Sequence, residues 1–429
     1  MRIVEYETHP EEVQLRTIRR RDADREIVGR ARMILDAVRD RGDAALLEYT
    51  RLLDCPAIES IGLRVSTQEI ADAYGNVDGG FRNALRESIR NISRYHKRQK
   101  PRSWEMNQNG MRLRQRFAPL GRVGIYVPGG KAAYPSTVLM NALPAAIAGV
   151  GEIVMATPCN ADGKILPEVL VAAGECGVNE VYRIGGAQAI GALAYGTETV
   201  APVDKITGPG NAYVAAAKQL VFGVVGIDMI AGPTEIVVIA DASAKPSYVA
   251  ADLIAQAEHD EQASPVCITT SPAAAEEISA EVHRQLENAS RRAIARPAFE
   301  RNGVIIVVKN IATAVSIANA LAPEHLEVMV KRPAEVVESV TNAGAIFVGE
   351  WSMEALGDYM AGPNHTLPTS GTARFSSALS VWDFMKFTNI VECSKSRFLE
   401  LAPHIEILAG VEGLDGHGAS VRIRRGKHP

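Results

Sequence analysis

From Arg122 to about Val348 the chain alternates short β-branched runs with Ala-rich stretches, and this alternation restricts the fold more than any other feature of the sequence. The first block predicts strands at 123–127, 153–156, 181–184 and 203–206, with helices between them. The second predicts strands at 235–241, 266–270, 304–308, 326–330 and 345–348, with helices over 247–258, 273–288 and 311–322. Alternation of this kind builds mostly parallel sheets covered by helices on both faces. A break at 231–234 separates the blocks, so the expected fold class is α/β, with two Rossmann-like, mostly parallel-sheet domains.

The flanking segments show other patterns. Residues 1–24 lack apolar periodicity and read as an arm. Helical periodicity runs over 25–53 and again from 67 to about 99. The polar stretch 101–109 reads as a linker, and Met111, Leu113 and Phe117, alternating with arginines, predict a strand with one face buried. Beyond about Ser377 the pattern stops.

A chain of 429 residues is too long for a single compact core. Its net charge of −4 (46 − 50) and lack of a long basic run argue against a nucleic-acid partner. The basic tail Arg422–His428 is too short to change that. No apolar run is long enough to span a bilayer, and the first residues lack the apolar core of a signal peptide, so a cytoplasmic protein is expected. The five cysteines, Cys55, Cys159, Cys176, Cys267 and Cys393, are scattered and form no Cys-x-x-Cys pair. Neither a disulfide framework nor a thiolate metal cage is indicated, and only Cys159, after a strand end, is placed as a nucleophile would be.

Candidate chemistry gathers in two places. Gln256 and His259, three apart at the end of a predicted helix, fall on one face, and both types ligate a metal such as zinc. Glu324 and His325 sit at a helix-to-strand loop, where an imidazole can take a hydroxyl proton and a carboxylate can activate water. Asp358 and His365 lie in a Gly/Pro/Asn-rich stretch that reads as a loop, and His417 is flanked by glycines. In the first block, glycine-rich turns at 121–130, 184–191 and 207–211 would let backbone N–H groups approach a phosphate. The dinucleotide fingerprint fails there, because Tyr213 stands where its third glycine belongs.

The chain resembles the histidinol dehydrogenase family. The matching segments are Val123-Gly-Ile-Tyr-Val-Pro-Gly-Gly, Tyr134-Pro-Ser-Thr-Val-Leu-Met-Asn-Ala, Gly185-Gly-Ala-Gln-Ala-Ile, Gly208-Pro-Gly-Asn-Ala-Tyr-Val, Gly226-Ile-Asp-Met-Ile-Ala-Gly-Pro-Thr-Glu, Gln256-Ala-Glu-His-Asp, Pro323-Glu-His-Leu-Glu, Gly357-Asp-Tyr-Met-Ala-Gly-Pro-Asn-His and Ala373-Arg-Phe-Ser-Ser. They run in family order from about residue 90 to the C-terminus.

The resemblance implies an aldehyde-dehydrogenase-like pair of domains and a cytoplasmic homodimer that takes L-histidinol to L-histidine with NAD+ and one Zn2+ per subunit. It implies zinc held by Gln256, His259, Asp358 and His417, the last donated across the dimer. His325 is the implied general base and Glu324 the residue that activates water. Implied NAD contacts are Tyr126, Gln188 and Asn211; implied substrate contacts are Thr234, Gln256, His259, His325, Asp358, Glu412 and His417. The expected domain boundaries are an arm at 1–24, a metal and catalytic domain at 25–120 plus 235–376, a nucleotide-binding domain at 121–234 and a dimerisation arm at 377–429. Thr234 stands where the family more often has serine, and Gly416 where it has alanine. The rival readings are a related zinc and NAD enzyme acting on another small amino alcohol or diol, a zinc hydrolase using Glu324, and a non-catalytic metal-binding protein.

Overall fold

The computed structural model describes residues 1–18, 25–129 and 134–426. Residues 19–24 of the expected arm, Gly130 of the first glycine-rich turn, and Lys427 and His428 of the basic tail lie outside the described residues. The chain forms two units, Met1–Gln99 with Leu120–Phe384, and Lys100–Pro119 with Met385–Pro429.

The first unit holds two all-parallel sheets. The five-stranded one runs in the order Glu180–Tyr182, Glu152–Ala156, Arg122–Tyr126, Lys205–Thr207, Gly226–Ile227. The six-stranded one runs Arg2–Glu5, Val304–Val307, Ser264–Thr269, Glu235–Ala240, His325–Met329, Ala345–Val348. Helices cover both faces, so the central strands are apolar on both sides; Ile236 to Ala240 are all fully buried or nearly so. The chain passes from one sheet to the other through 228–234, the break marked in the sequence.

Three segments differ from expectation. Arg2–Glu5 is an edge strand paired in parallel with Val304–Val307, and Val13 of the helix Glu11–Ile18 joins the core beside Val304 and Leu321. Four residues are too few for a period-2 signal to stand out. The helices Arg25–Arg41 and Asp43–Leu53, expected on the 235–376 domain, bury Ala31, Leu35, Val38 and Leu46 against Ile190, Ala217 and Val154 of the five-stranded-sheet core instead. Amphipathic spacing shows that a helix has a buried face without showing against what. The polar stretch 101–109 contains the strand Trp104–Gln108, joined to Met111–Pro119 by Asn109 and Gly110, both at positive φ. Asn-Gly is the preferred pair for such a hairpin.

In the second unit this hairpin pairs antiparallel with Met385–Cys393, and the helices Lys395–Val411 and Asp415–Arg424 come after it. Phe387, Val391, Leu408 and Val411 are exposed there. Among the described residues no helix is long and apolar enough to cross a membrane.

One buried ion pair braces the turn after Lys205–Thr207. Gly208 has φ +112°, and a Cβ there would lie 2.0 Å from the Tyr126 carbonyl oxygen, so only glycine fits. Its N–H donates to Asp228 Oδ2 at 2.7 Å, and its carbonyl accepts from Lys218 Nζ at 2.9 Å. Lys218 also pairs with Asp228 Oδ1, and both side chains are almost wholly buried. Lys218→Met leaves Asp228 buried and unpaired, and is expected to cost about 3–5 kcal/mol. A clear drop in thermal unfolding midpoint checks this; an unchanged midpoint would mean the pair does not hold the turn.

Candidate active site

Three local periodicities converge at the start of the His325–Met329 strand. On that strand His325 and Glu327 are two apart and share a face. On the helix Pro246–Ala257, Asp252 and Gln256 are four apart, and on the helix Glu354–Tyr359 so are Glu354 and Asp358. His259 lies just past the first helix, its N–H donating to the Gln256 carbonyl at 3.3 Å in a tightened last turn. Asp358 was expected in a loop. It lies in the last turn of a short helix that ends before Gly362 and Pro363, and the turn-rich residues belong to the loop beyond that helix.

A chain of hydrogen bonds ties these elements together. Gln256 Nε2 donates to Thr234 Oγ1 at 2.5 Å, and Thr234 Oγ1 donates to Glu324 Oε2 at 2.5 Å. Glu324 Oε2 also accepts from the Glu235 N–H at 3.0 Å. His325 Nδ1 lies 3.1 Å from the Glu235 carbonyl oxygen, which can only accept, so Nδ1 carries the proton and Nε2 keeps its lone pair. Nδ1 is 3.7 Å from Glu324 Oε2, and the ring stacks on Phe347 with centroids 6.1 Å apart. Burial holds the His325 pKa below the usual histidine range, so its ring is neutral and basic. Burial pushes the Glu324 carboxyl up to about 8, against the hydrogen bonds from Thr234 and Glu235 that pull it down.

Behind this group lies a set of carboxyls. Glu327 is fully buried and Glu354 is 3% exposed. Burial, then the neighbouring Asp252, raises Glu327; burial raises Asp252; and burial, then Asp358, Glu324, Glu327 and Asp252, raises Glu354 well above the ordinary range.

The donors suit a divalent metal. One ligand atom each from His259, Glu354 and Asp358 lie within 4.8 Å of one another. Gln256 is fully buried, and its Oε1 has no hydrogen-bond partner among the described residues, a costly condition that a cation relieves. His259 is exposed, while crowding of its ring lowers its pKa through lost hydration. His365 Nδ1 stands 3.6 Å from Asp358 Oδ1, and burial holds its pKa below the usual histidine range.

The glycine-rich turns sit at the carboxyl ends of the five-stranded sheet, where ligands of open parallel sheets usually bind. The Tyr126 hydroxyl accepts from the Gly186 N–H at 3.1 Å. Gln188 is fully buried; its Nε2 donates to Asp54 Oδ2 at 3.2 Å and its Oε1 has no partner among the described residues. Asn211 is exposed and caps the helix Ala212–Val221, its Oδ1 accepting from the N–H groups of Tyr213 and Val214. The buried amide oxygen of Gln188, without a partner among the described residues, leaves an acceptor beside these turns that suits a polar ligand such as a nucleotide cofactor.

Thr234, Gln256, His259, Glu324, His325 and Asp358 thus come together, and Tyr126, Gln188 and Asn211 lie at the turns. Glu412 and His417 belong to the second unit, where both are exposed. Sequence reasoning missed Asp54, Glu327 and Glu354. Glu327 did leave a signal, a lone carboxylate inside Leu-Glu-Val-Met-Val. Cys159 packs near Cys55 with its thiol pushed up to about 12, first by burial, which is the opposite of an activated nucleophile.

The family model for histidinol dehydrogenase matches residues 17–425. The chain is 51% identical over 406 residues to the histidinol dehydrogenase of Gluconobacter oxydans (strain 621H), covering 94% of each. It is also 51% identical over 394 residues to that of Bacillus subtilis (strain 168), covering 92% of each. The crystal structure of histidinol dehydrogenase from Elizabethkingia anophelis aligns with a TM-score of 0.88 at 36% identity, covering 92% of this chain and 91% of that one.

The raised Glu324 carboxyl sets a pH dependence of stability in protein stripped of metal. The native group keeps its proton up to about 8, whereas the unfolded group loses it near 4.5. Its contribution is therefore fully present below about pH 4.5 and is lost as pH rises towards 8. Glu324→Gln removes that loss, so its thermal midpoint, compared with wild type, is expected to gain ~5 °C or more between pH 5 and pH 8. A constant difference across that window would contradict the assignment.

Proposed function

The chain belongs to the histidinol dehydrogenase family, and from that premise we propose that it oxidises L-histidinol through L-histidinal to L-histidine in two NAD-linked steps. The observation that carries the reading is His325: buried, neutral, with Nδ1 committed to the Glu235 carbonyl and Nε2 free, beside Glu324. In the first step the substrate hydroxyl gives its proton to His325 Nε2 while its carbon gives a hydride to NAD+. In the second, Glu324 takes a proton from the attacking water and gives it to the carbonyl oxygen as the aldehyde is hydrated; His325, its first proton released to solvent, takes a hydroxyl proton from the hydrate as the carbon gives a hydride to a second NAD+. A carboxyl with a pKa near neutrality can serve in both directions.

Gln256, His259 and Asp358 would hold zinc, joined by His417 of the partner subunit. Zinc, when bound, orients the amino alcohol through its amino and imidazole nitrogens. Thr234 supplies the hydroxyl that positions both Gln256 and Glu324, so a threonine in place of serine keeps the chemistry. Tyr126, Gln188 and Asn211 would contact NAD. Support for a homodimer comes from the second unit, which exposes Leu408 and Val411 on the helix preceding Glu412 and His417. The 377–429 segment is the proposed dimerisation arm.

Zinc-loaded protein given L-histidinol and NAD+ is expected to form two NADH per histidine, with activity lost to a chelator and restored by zinc. Reduction of NAD+ with other amino alcohols or diols, and none with histidinol, would move the substrate assignment. His325→Ala is expected to lower kcat by about 10²–10⁴ with bound zinc unchanged. The Glu324→Gln variant is expected to lose more activity with L-histidinal as substrate than in the first oxidation; equal losses in both half-reactions would remove Glu324 from the water step.

A further inference from the structure

Asp54 comes from the helical segment ahead of both α/β blocks, yet the fold lays it against the glycine-rich turn at 184–191. It closes the helix Asp43–Leu53, its N–H donating to the Thr50 carbonyl at 2.9 Å, and the next residue, Cys55, is fully buried. The backbone of Asp54 is thus held on both sides. A Cβ at Gly185 would lie 3.1 Å from Asp54 Oδ2 and 2.8 Å from Pro158 Cβ, so glycine is what admits the carboxyl to the turn. There Asp54 Oδ2 accepts from Gln188 Nε2 at 3.2 Å, and the Gly185 N–H bonds to the same carboxyl. Burial pushes this carboxyl up to about 6, against the Gly185 N–H, so at neutral pH it is ionised and can only accept.

That carboxylate decides which way Gln188 faces. An amide has one donor end and one acceptor end, and an ionised carboxylate bonds only the donor end. Asp54 therefore holds the Gln188 NH2 and leaves Oε1 turned away from it. Oε1 belongs to a fully buried side chain and has no partner among the described residues, a costly condition that an incoming donor relieves. The Asp54 charge also acts on Tyr126, whose hydroxyl accepts from the Gly186 N–H beside Gln188.

We propose that Asp54 is a positioning residue for the cofactor: by fixing the Gln188 amide it makes this site present an acceptor, and so selects a cofactor group that donates a hydrogen bond. The proposal rests on the reading of Gln188 as an NAD contact. The donors of NAD+ are its ribose hydroxyls, its adenine amino group and the NH2 of its carboxamide. Asp54 acts on them through Gln188, without touching the cofactor.

The test uses full-length, zinc-loaded protein, with NAD+ affinity measured by titration calorimetry and with kcat and the KM for NAD+ measured separately. The variants are Asp54→Asn, Asp54→Ala, Gln188→Met and the double variant Asp54→Asn/Gln188→Met. Asparagine keeps the shape of Asp54 but can bond either end of the amide, so it frees the orientation without opening a cavity. Asp54→Asn is expected to weaken NAD+ binding by about fivefold to tenfold, with a larger change in KM for NAD+ than in kcat. In the Gln188→Met background the same substitution is expected to weaken binding no further, because Asp54 then has no amide to hold. Wild-type affinity in both Asp54 variants would overturn the proposal, and so would effects that simply add in the double variant. Gln188→Met separates this from the cofactor reading: if it binds NAD+ as wild type does, Gln188 is not a cofactor contact and that reading fails. If it weakens binding while both Asp54 variants bind as wild type does, only the role of Asp54 is lost. ADP-ribose and nicotinamide mononucleotide locate the donor, which lies in the half whose affinity falls in Asp54→Asn; a fall with neither half would also overturn the proposal.

Discussion

Carboxyl groups crowded together at the buried end of this site are the constraint on which it depends. Asp252, Glu324, Glu327, Glu354 and Asp358 act on one another, and the first four are raised above the ordinary carboxylate range. Crowding like charges in a low-dielectric interior is unfavourable for folding, and it makes the site receptive to protons and divalent metal. Burial produces two chemically different residues side by side: it lifts the Glu324 carboxyl to about 8, suited to exchange a proton with water, and holds His325 neutral, suited to accept one from an alcohol. Neither property belongs to the residue type alone.

The position of these groups results from how the two parallel sheets are joined. The glycine-rich turns lie at the carboxyl ends of the five-stranded sheet, and Thr234, Glu235, Glu324 and His325 lie where strands of the six-stranded sheet begin. The chain crosses from one to the other in the few residues before Glu235. Gly232, part of that crossing, donates its N–H to Thr369 Oγ1 at 2.6 Å, and Glu235 Oε1 accepts from the Ser370 N–H at 3.0 Å. The loop after Asp358 is thereby fastened to the crossing, so the groups proposed to bind metal and to transfer protons are held by the same few residues.

Much of this was legible in the sequence. The β-branched and Ala-rich alternation marked most strands of both sheets and the break between them, because strands buried on both faces must be apolar throughout. Gln256, His259, Glu324 and His325 stood out as metal-binding and acid–base types at structured positions. The strand Arg2–Glu5 was too short to show a period, and the helix Arg25–Arg41 showed a buried face without identifying the sheet that buries it. Asp358 was hidden by the Gly-Pro-Asn run just after it. Glu354 left no signal at all: a glutamate in Trp-Ser-Met-Glu-Ala-Leu is ordinary until the fold puts it among four other carboxyls.

Glu354 shows how tertiary structure adds to a set of plausible ligands. A periodic pattern tells which side chains share a face of one element. The meaning of Glu354 depends on three elements at once: a strand that offers Glu327 to its N–H, a helix that brings Asp252 and Gln256, and its own short helix that repeats a carboxylate one turn later. Glu327 accepts that N–H with one oxygen and its side chain interacts with Asp252, so it cannot also relieve the charge on Glu354. A carboxyl oxygen of Glu354 faces ligand atoms of His259 and Asp358, on the side where the proposed reaction would take place.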